Sequence, residues 1–168
     1  MDALWPVLET NLREYLTRAN IFKPEAIEDI LRRVRQDFTH VNDLRCFGAI
    51  EEGRVLSTDE KKRLGLNVRT KFTEEFIALV DLSKIEGESP IVSYCNAYMD
   101  AVLRTGRQFE LERMRRIGTL TVEILDPYSS MGGCGAKRKQ SYDIDVLPSL
   151  PLKGCEQDYC KCIYVAKI

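Results

Sequence analysis

The chain has 168 residues, 44% hydrophobic and 30% charged, with a formal net charge of −1. That length buries one core, or one core with a smaller appendage, without staples, and the composition excludes disordered and collagenous classes. No window of about 18 apolar residues exists to span a membrane, and the opening MDALWPVLETNLREYL lacks the basic and apolar regions of a signal peptide, so a cytoplasmic protein without membrane contact is expected.

Leu4, Leu8, Leu12, Tyr15, Leu16 and Ala19 recur at spacings of three and four and predict a first amphipathic helix. Pro24 suits the first turn of a second, which carries Ile27, Ile30, Leu31, Val34 and Phe38 on one face, and the two form a helical hairpin. Periodicity lapses around GAIEEG. Ser57-x-x-Glu60 then offers a capping box for a short helix that Gly65 ends. Phe72, Phe76, Leu79 and Val80 make a further amphipathic face, closed by the acidic loop KIEGES.

Ser89-Pro90 opens the longest helical pattern, with Ile91, Cys95, Tyr98 and Val102 on one stripe and Val92, Met99 and Leu103 beside it. Gly106 is a candidate kink, and Gly118 is a stop just after the cationic turn Arg113, Arg115, Arg116. The period then changes. TLTVEIL alternates Leu120, Val122 and Ile124 against Thr119, Thr121 and Glu123, SYDIDV does the same with Tyr142, Ile144 and Val146, and CKCIYVAKI supplies a third β-prone run. The expected fold is α+β: an N-terminal helical bundle (1–88), then a long helix plus cysteine-containing β-module (89–168) built on a small C-terminal antiparallel sheet, packed as one globular unit.

Four of the six cysteines, Cys134, Cys155, Cys160 and Cys162, cluster late in the chain, whereas Cys46 and Cys95 stand alone and read as core. Cys160 and Cys162, two apart on a strand, project to one face. Cys155 follows Gly154 in a short loop, and Cys134 lies between Gly133 and Gly135 where the backbone can approach closely. Four thiolates satisfy tetrahedral zinc, so zinc is the expected cofactor, although C-x20-C-x4-C-x-C is not the paired C-x2-C spacing of a ribbon or finger. Small buried hydrophobes and disulfides are the competing readings, the second disfavoured in a reducing compartment.

The sole histidine, His40, has no acid or nucleophile nearby in sequence and reads as a surface or capping residue. GGCGAKRK lacks the Gly before Lys137 and the hydroxyl after it that a phosphate loop requires. Lys61, Lys62 and Arg63, Arg113, Arg115 and Arg116, and Lys137, Arg138 and Lys139 make a phosphate-binding patch only if the fold joins them. Glu123, Asp143 and Asp145 lie on polar strand faces, where alternation accounts for them.

From about residue 94 the order YCNAY, RTGRQFELERMRRIG, LTVEIL, glycine-flanked Cys134, SYDIDVLPSLPLKGC and CKCIYV resembles the C-terminal module of tailed-phage head-morphogenesis (minor head) proteins and their bacterial relatives. The family pattern has C-x-x-C at the first cysteine site, where this chain has Lys137 three residues after Cys134. The resemblance implies a non-enzymatic structural or assembly protein of phage or prophage descent. Its partner is then a protein or a second copy of itself, with at most weak nucleic-acid contact, and no catalytic residues are implied. The alternatives are a cryptic enzyme with its site between bundle and sheet, and a nucleic-acid-binding protein.

Overall fold

The computed structural model describes residues 4–38, 52–85, 87, 89–126, 140–152, 155 and 159–167. The fold is α+β. Helices α1 (Trp5–Ala19), α2 (Ile27–Phe38), α3 (Thr58–Arg63), α4 (Glu74–Leu79) and α5 (Pro90–Arg116) precede strands β1 (Thr121–Leu125), β2 (Ser141–Asp143) and β3 (Ile163–Ala166). Residues group into two compact units, Met1–Tyr98 and Met99–Ile168. Among the described residues no helix is long and apolar enough to cross a membrane.

In the first unit the expected hairpin forms. α1 buries Trp5, Leu8, Leu12 and Leu16 and packs against α2, whose Ile30, Leu31 and Val34 face inward. Arg13 ties the pair together, bonding Glu28 on α2 and, at 3.1 Å, Glu9 one turn back. Asn20 ends α1 in the left-handed region at φ 55°, which an Asn tolerates better than most residues. α3 starts at the expected capping box: the Ser57 hydroxyl accepts from Glu60 N at 3.3 Å, and Glu60 accepts from Ser57 N at 2.8 Å. Phe22 and Phe76 each meet the buried Tyr94 ring edge-on, at centroid distances of 6.4 and 6.0 Å.

α5 is one helix from Pro90 to Arg116, with no break at Gly106. Gly118, at φ 77°, closes it as a Schellman turn, with Thr119 N donating to Met114 O at 3.0 Å and Gly118 N to Arg115 O at 3.1 Å. The expected apolar stripe is off by a rotation. Of the expected residues only Tyr98 is buried; Ser93, Tyr94, Asn96, Ala97, Asp100 and Ala101 are buried with it, whereas Val92 and Met99 are exposed and Ile91, Cys95, Val102 and Leu103 are half-buried. Polar and small residues carry little weight in a hydropathy pattern, so a buried face built from them is invisible to it.

In the second unit β1 is the central strand, antiparallel to β2 and to β3, giving the order β2-β1-β3. Val122 and Ile124 point inward as expected. Leu120 does not: it precedes β1 and is 78% exposed. β2 is shorter than SYDIDV promised, because the chain turns after Asp143, where Asp145 N and Val146 N bond back to its side chain and carbonyl. Ile144 stays buried and Val146 is left at the surface. One core holds Met114, Val122, Ile124, Ile144, Leu150, Leu152, Cys160, Cys162 and Tyr164, with Cys155 packed at its margin.

Candidate functional site

Cys160 and Cys162 do not lie on a strand, since β3 begins at Ile163, yet burial alternates through Cys160, Cys162 and Tyr164 as though it had started earlier. Lys167 N donates to Thr121 O at 2.9 Å, so the backbone groups of odd-numbered residues face β1. Those of even-numbered residues face outward along a sheet edge.

Arg107 occupies that edge. Its Nη1 donates to the carbonyl of Cys160 at 2.8 Å and to that of Cys162 at 3.2 Å, standing in for a neighbouring strand. The residue is 6% exposed, and its Nη2 is buried without a hydrogen-bond partner among the described residues. Burial pulls the guanidinium below its ordinary value, opposed by the nearby Cys160, Tyr164 and Asp100. Tyr164 donates its hydroxyl to Pro148 O at 2.9 Å, and burial pushes its phenol up. Asp100, 2% exposed, holds Arg104 Nε at 2.8 Å from Oδ2. Asp100 is thus shared between its ion pair with Arg104 and a weaker attraction to Arg107.

The structure thus brings Cys155, Cys160 and Cys162 to one core. Among the described residues none of the three forms a disulfide, nor does Cys95, half-buried on α5. Among the described residues no three His, Cys, Asp or Glu side chains gather closely enough to hold a metal ion. Cys134, the fourth expected ligand, lies outside the described residues, as do Cys46 and His40.

No family model, curated protein or solved structure matches the chain.

Its chemistry therefore rests on its own residues. The basic clusters are partly occupied within the fold: buried Lys61 donates to the carbonyls of Val68 and Thr70 at 2.7 and 3.0 Å, and Arg113 binds Glu110 at 2.5 Å. The carboxylates on and after the strands likewise have partners other than one another. Glu123 sits 3.2 Å from Lys167, Asp143 accepts from Asp145 N at 2.9 Å, and Asp145 lies 3.9 Å from Arg115. Arg107 is the residue that sequence reasoning missed. The available signal was its place in the series 100, 104, 107, 111, 114, one helix face that ends in half-buried Leu111 and the core residue Met114.

Proposed function

We propose that the chain is a non-enzymatic structural or assembly protein, of phage or prophage descent, whose C-terminal β-module is a zinc-binding module with Cys134, Cys155, Cys160 and Cys162 as ligands. One observation supports it above the others: a buried guanidinium with a nitrogen that has no acceptor among the described residues stands beside the cysteine-bearing segment. Its two carbonyl hydrogen bonds offset part of the cost of burying the guanidinium, and an anion facing it would offset more. A zinc tetrathiolate carries net negative charge and accepts hydrogen bonds at sulfur, so Arg107 suits its surroundings. The described sulfurs are not gathered around one point, so loading requires the Cys155 segment to close on Cys160 and Cys162, which couples binding to folding of the module.

A second reading is favoured by the alternating burial of Cys160, Cys162 and Tyr164, which is what small core side chains on an extended segment would show. Metal analysis separates the two. Tag-free protein purified without added metal should carry about one zinc per chain, and a strong chelator should expose the backbone amides of 141–146 and 160–166 to exchange while those of α1 and α2 stay protected. Metal-free protein with unchanged exchange in both segments overturns the zinc module and leaves the thiol core.

A further inference from the structure

The first unit holds a cleft of about 710 Å³ between α3, α4 and the turn at Asp81, a size typical of small-molecule sites. Leu56, Ile77 and Val80 form apolar walls and Leu64, 40% exposed, stands at the mouth. Five charged side chains line it, and they differ in how far each is already engaged.

Its three carboxylates have partners within the fold. Glu60 takes two nitrogens of Arg54 at 2.8 and 3.1 Å and the Ser57 amide, Glu74 shares the same Arg54, and Asp81 takes the Ser83 amide and hydroxyl at 3.2 and 2.6 Å with Lys84 at 3.4 Å. The two cations are the opposite case. Lys23 uses one ammonium hydrogen on Ala78 O at 2.7 Å, and exposed Arg63 makes no hydrogen bond or ion pair with any described residue. The charged groups of the lining that have no ion-pair partner among the described residues are therefore the two cations, beside an apolar floor.

We propose that this cleft binds a small amphipathic monoanion, an aliphatic or aromatic body carrying one carboxylate, with Arg63 and Lys23 holding the head group and Leu56, Leu64 and Ile77 covering the tail. A carboxylate matches the flat guanidinium fork of Arg63. A dianionic phosphate would bring twice the charge past Glu60, Glu74 and Asp81 of the same lining and shed more water on entry, so a single charge is the head group that fits.

Octanoate, octanol and octyl phosphate, which share a chain and differ in head group, test this by calorimetric titration and amide chemical-shift mapping on the full chain. Octanoate should bind below about 1 mM and at least about 10-fold tighter than octanol, with shifts at Leu64, Ile77 and Leu82. Arg63→Ala, at an exposed position, should leave the fold intact and reduce that preference to about 3-fold or less. Equal binding of octanoate and octanol, tighter binding of octyl phosphate, shifts outside the cleft, or a preference unchanged in both Arg63→Ala and Lys23→Met would each overturn the proposal.

Discussion

Arg107 Nη1 and the carbonyl oxygen of Cys160 lie 2.8 Å apart across 53 residues of sequence, and the same nitrogen reaches the Cys162 carbonyl. A side chain of α5 thus holds the approach to β3 where no described strand pairs with it.

Replacing Arg107 should therefore loosen the C-terminal segment more than it disturbs α5. Arg107→Ala removes a donor from the carbonyls of buried Cys160 and Cys162 and is expected to lower unfolding free energy by about 2–4 kcal/mol. Arg107→Lys keeps the charge but not the fork, and should fall between it and the parent. Denaturant unfolding, with amide exchange at 160–166, reads both. Parent-like stability in Arg107→Ala would remove the clamp.

The cysteines separate by burial if they are only packed, and behave alike if they are ligands. As core residues, Cys160→Ser and Cys162→Ser each place a hydroxyl among apolar side chains and should cost about 1–3 kcal/mol, while half-buried Cys155→Ser costs under about 1 kcal/mol. As zinc ligands, all three, and Cys134→Ser with them, should destabilise comparably and abolish metal retention. Melting temperatures of the four variants, with and without chelator, distinguish the patterns.

Glu60 gives a pH signature in the first unit. The Arg54 guanidinium, aided by the Ser57 cap, pulls its carboxyl from 4.5 down to about 2. Its folded value lies below its unfolded one, so its stabilising effect is full above pH 4.5 and is lost as pH falls toward about 2. The stability difference between the parent and Glu60→Gln should be flat above that window and shrink within it. A difference that stays constant down to pH 2 would contradict the assignment.

Gly53 tests backbone strain against crowding. It sits at φ 93°, and a Cβ there would fall 1.5 Å from Glu75 Oε2, the movable end of a side chain. Gly53→Ala should cost about 1–2 kcal/mol through its backbone conformation. Trimming Glu75 to Ala in the same chain should not restore it. Full rescue in the double variant would assign the cost to the clash instead.

The sequence by itself determined the order of helices and strands, the amphipathic faces of α1 and α2, the Ser57 cap, the Gly118 stop, and the inward Val122 and Ile124 of β1. Each of these is a local property: a period of 3.6 or 2, a cap, or a left-handed turn is decided within a few residues and survives any tertiary arrangement. Tertiary structure alone decided which side of α5 is buried, that Leu120 and Val146 lie at the surface despite their strand parity, and that β3 starts at Ile163 with Cys160 and Cys162 ahead of it. It also decided that Arg107 goes inside and that Arg63 and Lys23 face one cleft. Burial of a side chain depends on which distant surface covers it, and a charged residue is placed inside by acceptors 53 and 55 residues away that no local pattern encodes.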